Sequence, residues 1–250
     1  MQTATPTRFG SADGNRAGLA IQVQALSKLY GDFPALQSVN FEVAEGGFLG
    51  LLGRNGAGKS TLLKLLALLT QPSSGTLRLG GLDPRSDPVL IRRQIGFLGH
   101  NTFLYDELTA QENLLFYGSL YGVANPRRIC GQMLDLVELT PFAGELVRNF
   151  SRGMRQRLAI GRLFLHQPAL LLLDEPFTGL DDRAATLLES LLQQAQQQGK
   201  TVVLCTHQLE QALQYAQRLL ILDKGRIGYC GPNHPERADQ MRALYQRCAG

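Results

Sequence analysis

The 250-residue chain lacks any run near the roughly 18 uncharged apolar residues that a bilayer span needs; its densest, Ala169 to Leu173, stops at Asp174. That excludes a chain that crosses a membrane by its own helices. It also lacks a charged start followed by an apolar segment, so no secretion signal is expected. Residues 1–18, MQTATPTRFGSADGNRAG, are small and polar and read as a flexible leader on a cytoplasmic protein. Cysteine is scarce: Cys130, Cys205, Cys230 and Cys248 form no C-x-x-C pair. Neither a zinc site nor a disulfide framework is expected, and the thiols read as small hydrophobes. The net charge of +4 comes without a basic tract, which argues against a nucleic-acid partner. Lysine is rare, five of 25 cationic residues, so each lysine merits inspection. What is present is 44% hydrophobic and 18% charged residues, enough for a packed core, in a length suited to one large domain or one domain with a substantial insertion.

Apolar runs predict strands at Leu19–Leu26, Leu36–Val43, Phe48–Leu52, Thr76–Leu79, Ile95–Leu98, Leu170–Leu173, Val202–Cys205, Leu219–Leu222 and Arg226–Tyr229. Helical patterns lie between them. One runs from Lys59 to Leu69. Thr109-Ala-Gln-Glu112 is a capping box opening a second, to about Tyr121. Asn125-Pro126 supplies an N-cap and a first-turn proline for a third, to about Leu139. Ser151 caps a fourth; two more cover about Asp182–Gln197 and Gln208–Ala216. The alternation favours an α/β fold with a mainly parallel sheet covered by helices. Residues of about 101–150 are nearly all helical and read as an insertion within a domain spanning 19–231, followed by a short C-terminal helix within 232–250.

After the strand Phe48–Leu52 comes Gly53-Arg-Asn55-Gly56-Ala-Gly58-Lys59-Ser60, a G-x-x-x-x-G-K-[ST] loop that opens a helix. Glycines let successive N–H groups curl around a phosphate at a helix N-terminus, which already favours anions. Lys59 then reaches the β- and γ-phosphates and the Ser60 hydroxyl ligates Mg²⁺. Leu170-Leu-Leu-Leu-Asp174-Glu175 is a buried strand ending in two acids. Asp174 beside a phosphate loop suits the Mg²⁺ shell, and Glu175 can polarise a water for attack on the γ-phosphorus.

The order GRNGAGKS, NFSRGMRQRLAIGR, LLLLDEP, GLD and TH resembles the ATP-binding subunit of an ABC transporter, over about residues 19–231. The resemblance implies a P-loop NTPase cassette whose mainly parallel core carries an antiparallel β portion and a helical subdomain. It implies ATP and Mg²⁺ as cofactors and ATP hydrolysis coupled to transport. It places Tyr30, in Lys28-Leu-Tyr-Gly, against adenine, where an aromatic face suits a purine, and Thr61 on the α-phosphate. It places Ser151 and Gly153 on the γ-phosphate held by a second subunit, Asp181 in the loop crossing the dimer interface, and His207 as a switch that senses the γ-phosphate. The partners implied are a second copy of the chain in an ATP-dependent head-to-tail dimer, or a related ATP-binding subunit, and an integral membrane subunit. The chain would then sit on the inner face of the membrane through that partner.

Two positions depart from the family pattern. Phe150-Ser-Arg152-Gly-Met154 stands where Leu-Ser-Gly-Gly-Gln is common, so Arg152 either adds a cation at the γ-phosphate or faces solvent. His100 stands where the family has a glutamine on Mg²⁺ and the attacking water. A neutral imidazole can replace that acceptor and an imidazolium cannot; Asn101 is the alternative amide. The segment from Gly99-His100 to Leu114 also looks like the ATP-binding subunit of the haem exporter of cytochrome c maturation. The competing reading is a soluble ABC-type ATPase of an assembly or repair complex without transport. A long coiled coil or a second phosphate loop would support it, and the sequence has neither.

Overall fold

A computed structural model describes residues 18, 20–99 and 101–249. The expected leader apart from Gly18, together with Leu19 and His100, lies outside them. All nine expected strands form, most of them a residue or more longer than their apolar cores. β1 (Ile21–Tyr30) and β2 (Phe33–Val43) make a hairpin through Gly31-Asp32. β3 (Phe48–Gly53) belongs elsewhere, while β4 (Ser74–Leu79) flanks β1 to complete a three-stranded antiparallel sheet, β2-β1-β4.

The second sheet contains β3 with β5 (Ile95–Leu98), β6 (Leu170–Asp174), β7 (Thr201–Cys205), β8 (Arg218–Asp223) and β9 (Arg226–Pro232). Its order is β5-β6-β7-β3-β8-β9, parallel throughout except for the final β8–β9 pair. The central strands read as unbroken apolar runs because both faces are covered. In β6, Leu171 and Leu173 enter one core cluster while Leu170 and Leu172 enter the other. The first cluster joins the sheet to the insertion and α6 (Asp182–Gln197). The second joins it to the small sheet and to α1 (Lys59–Leu66).

α1 stops three residues before the expected Leu69. Leu68 adopts the left-handed conformation (φ 57°), and Leu68 and Leu69 return N–H bonds to Leu65 and Lys64. This is the usual helix-ending pattern with leucine in place of glycine, so the composition carries no stop signal there. A short α2 (Pro88–Arg92), absent from the expectation, is capped by the Asp87 carboxylate accepting from Leu90 N at 2.9 Å.

The insertion holds α3 (Ala110–Leu120) and α4 (Pro126–Leu136), joined to α5 (Arg152–Phe164) through two short 3-10 turns. Both bonds of the capping box at Thr109 and Glu112 are made. Asn125 corrects the expected cap: it is left-handed (φ 50°) and its side chain caps nothing, so Pro126 alone starts α4. α7 (Leu209–Tyr215) packs against β3 at Gly50, where a methyl group would stand 3.0 Å from Ala212 Cβ. That close approach fixes α7 beside the end of β7. α8 (Ala238–Ala249) closes the chain, buries Met241, and is tied to α7 by Arg242–Glu210.

Candidate functional site

β6, β7 and β3 are adjacent and parallel, so their C-terminal ends line one edge of the sheet. Loops beyond such an edge are where ligands bind in open α/β sheets. Gly53, Asp174 and Cys205 end the three strands, so topology brings together residues more than 100 positions apart.

The phosphate loop leaves β3 with Gly53, Gly56 and Gly58 at positive φ (150°, 83° and 103°). At Gly58 a methyl group would meet the Ala35 carbonyl oxygen at 2.6 Å, so only glycine fits. Gly58 is the N-cap of α1 and has no side-chain cap, which leaves the first N–H groups of the helix facing outward. Ser60 and Thr61 occupy that first turn, and Asn55 lies exposed in the loop. Lys59 is 8% exposed, and its Nζ donates to the Gly53 oxygen at 2.7 Å and the Arg54 oxygen at 3.1 Å. The ammonium therefore bridges the loop it belongs to.

Asp174 is buried and pairs in register with Cys205 on β7. Burial pushes the Cys205 thiol far above its usual range, helped by the charge of Asp174, which also accepts its hydrogen bond; Lys59 opposes the shift. The thiol is an inert core group, and Cys130, Cys230 and Cys248 are likewise free. Glu175 is left-handed (φ 51°), an uncommon conformation for glutamate. Its N–H donates to the Cys205 oxygen at 2.9 Å, which turns the chain sharply out of the sheet. One carboxylate oxygen, Oε1, lies 2.8 Å from His207 Nδ1, and the other, Oε2, lies 3.3 Å from the Thr206 hydroxyl.

Among the described residues no group of three or more His, Cys, Asp or Glu forms a protein-only metal cage. One buried carboxylate and one hydroxyl, Asp174 and Ser60, instead match a cation that keeps waters and takes its other ligands from nucleotide phosphates. The donor set fits Mg²⁺.

A second group gathers at the starts of α5 and α6. Ser151 caps α5 by accepting from Met154 N at 3.2 Å, which leaves its own proton free to donate. Asp181 caps α6 through Ala184 N at 2.8 Å. A methyl group on Gly153 would stand 3.5 Å from Asp181 Oδ2, and one on Gly179 only 2.7 Å from Arg152 Nη2. Arg152 thus lies across the Gly179 backbone of its own chain and is exposed, the solvent-facing one of the two placements open from sequence. Tyr30 is half exposed at the end of β1, with Lys28 Nζ 5.0 Å from its ring centre.

Sequence reasoning missed three polar residues. Thr206 is fully buried at the exit of β7, a polar side chain where the strand should end in water. Gln211, one turn into α7, receives its hydroxyl. Arg162 on α5 is 5% exposed, donates to the Phe97 oxygen at 2.9 Å and lies 5.1 Å from the Tyr117 ring centre. It reads in sequence as one more arginine of a basic helix.

The family described as ABC transporter matches residues 36–178. The ABC transporter ATP-binding protein NatA of Bacillus subtilis (strain 168) is 35% identical over 84% of this chain and 89% of its own length. A solved ATP-binding subunit of an ABC transporter superposes with a TM-score of 0.85 at 31% identity, covering 92% of this chain and 99% of that one. A dimeric ATP-binding cassette in a post-hydrolysis state, bound to ADP and Pi, superposes with a TM-score of 0.76 at 29% identity, covering 86% and 99%.

Proposed function

The chain belongs to the ABC transporter family as an ATP-binding, ATP-hydrolysing cassette, and from that premise we propose that it uses Mg-ATP between two copies of itself to drive a separate membrane subunit. The observation that carries the catalytic part is the Glu175 carboxylate, placed beyond β6 and held at one oxygen by His207. Lys59 exchanges its two loop carbonyls for the β- and γ-phosphates, and the uncapped start of α1 takes the remaining phosphate charge. Ser60 and Asp174 would hold Mg²⁺, which when bound offsets charge developing on the phosphates. Glu175 accepts the proton of the attacking water at Oε2, while His207 fixes the carboxylate through Oε1. Tyr30 stacks on adenine. Ser151, through the proton left by its capping role, and Gly153 face the nucleotide of the partner copy, with Asp181 beside them.

The self-dimer is supported by the dimeric solved cassette, and the membrane partner by the relative named as a transporter subunit. None of the described helices is long and apolar enough to cross a membrane, so translocation would belong to that partner. The haem reading rests on the segment from Gly99 to Leu114 alone, and neither named relative nor solved neighbour adds to it. We therefore propose a small-molecule cargo selected by the membrane subunit.

The test is Glu175→Gln, which keeps shape and loses the base. Phosphate release should fall by about a hundredfold or more, ATP should stay bound, and sedimentation should show a dimer with Mg-ATP and a monomer without it. Normal phosphate release by this variant would remove Glu175 from the reaction. An unchanged mass would remove the composite site.

A further inference from the structure

Thr206 sits between the proposed base and α7, and its hydroxyl has a single proton to give. It already accepts from Gln208 N at 3.1 Å. Two oxygens compete for its proton: Gln211 Oε1 at 2.9 Å and Glu175 Oε2 at 3.3 Å. The Gln211 amide is oriented for the task, because its Nε2 donates to Gln208 Oε1 at 2.9 Å and so turns its oxygen toward Thr206. On the Glu175 side, Oε1 is taken by His207 Nδ1 at 2.8 Å, which leaves Oε2 as the oxygen that can receive a proton from water.

Resting on the reading of Glu175 as general base, we propose that Gln211 is a positioning residue: it draws the Thr206 proton to itself and keeps Glu175 Oε2 free for the attacking water. Without an acceptor at position 211, the hydroxyl rotates onto Oε2. Both carboxylate oxygens are then bonded, and Oε2, with one of its two lone pairs engaged, is a weaker base toward the water. The close packing of α7 on β3 at Gly50 sets the distance on which this depends. Thr206 is fully buried, so water does not supply the missing acceptor.

The experiment is steady-state phosphate release from Mg-ATP by the purified full-length chain, with ATP affinity measured separately. Gln211→Leu should lower kcat about tenfold, the worth of a hydrogen bond to a charged group, with KM within about twofold of wild type. Gln211→Glu keeps an acceptor facing Thr206 and should recover most of that loss. The decisive variant is Thr206→Val/Gln211→Leu. Lacking the hydroxyl, it has nothing to misdirect, so it should turn over faster than Gln211→Leu alone. A merely structural role predicts the reverse, because two packing defects compound. Gln211→Met replaces the leucine variant if that one does not fold. Wild-type kcat in Gln211→Leu, or in Gln211→Met where that replaces it, or a double variant slower than the single, overturns the proposal. Glu175→Gln is run alongside. If it hydrolyses ATP normally, the base assignment fails; if it is inactive while Gln211→Leu is normal, only the role of Gln211 fails.

Discussion

Inside the helical insertion, Asn113 is fully buried and spends its whole side chain on its neighbours. Its Oδ1 accepts from Tyr105 N at 2.8 Å, and its amide is shared among the carbonyls of Tyr105, Leu108 and Thr109. At the C-terminal edge of the main sheet the opposite holds. The first N–H groups of α1 have no cap, Glu175 is held in a left-handed conformation, and Lys59 rests on the carbonyls of its own loop. The insertion satisfies this buried polar side chain from its own backbone, with no ligand needed. The edge leaves donors and strain for a ligand to satisfy, which is how binding sites differ from scaffolding. Arg162 connects the two, since it reaches from α5 to the end of β5 under the aromatic rings of the insertion. Burial lowers its pKa, opposed by the nearby Tyr117 and Tyr121.

The sharpest way to break this contrast is to remove Lys59. Lys59→Ala should weaken ATP binding about a hundredfold, since charge-assisted bonds to phosphate are worth about 1.5–3 kcal/mol each. Its unfolding free energy should change by less than about 1 kcal/mol, because the loop carbonyls it releases can meet water. Titration with ATP and chemical denaturation read the two quantities on the same sample. A large stability loss would mean that the edge is scaffold after all.

Asn113→Leu should do the converse. Leaving the Tyr105 N–H unpaired, and the carbonyls of Tyr105, Leu108 and Thr109 with their backbone donors alone, should cost about 1–3 kcal/mol, while the folded fraction binds ATP normally. A neutral result in denaturation would remove the insertion's claim to self-sufficiency.

The smallest effect is at the capping box. Thr109→Ala should cost about 1 kcal/mol. Glu112 adds a pH signature: the backbone N–H of Thr109, then its side chain, holds the carboxyl below its ordinary value of 4.5. A depressed carboxylate contributes stability that is full above the unfolded pKa and lost as pH falls through the folded value. Stability should therefore decline below about pH 4.5, and Glu112→Gln should flatten that decline in denaturation curves taken across this range.

Much of the molecule was legible before any tertiary contact. The phosphate loop, the acids after Leu173, the capping box and Ser151 are local signals, each tied to a backbone geometry that a few neighbouring residues impose. The left-handed Leu68 was not legible, because leucine carries no preference for that conformation, and at Asn125 the N-cap and left-handed preferences of asparagine compete. The roles of Thr206 and, through it, Gln211 were not legible either, since Glu175, which the Thr206 hydroxyl reaches, lies more than 30 residues away and only the pairing of β6 with β7 brings it near.

The amino-acid sequence alone determined which segments become strands and which loop holds phosphate, because apolar period and glycine placement act over a few residues. Tertiary structure decided the order β6-β7-β3, the left-handed turn at Glu175, the seat of Arg152 on Gly179 and the destination of the Thr206 proton. Those depend on which faces are buried together, and side-chain packing across strands overrides local preference. The chemistry is written in short motifs, and its geometry is set by the sheet that aligns them.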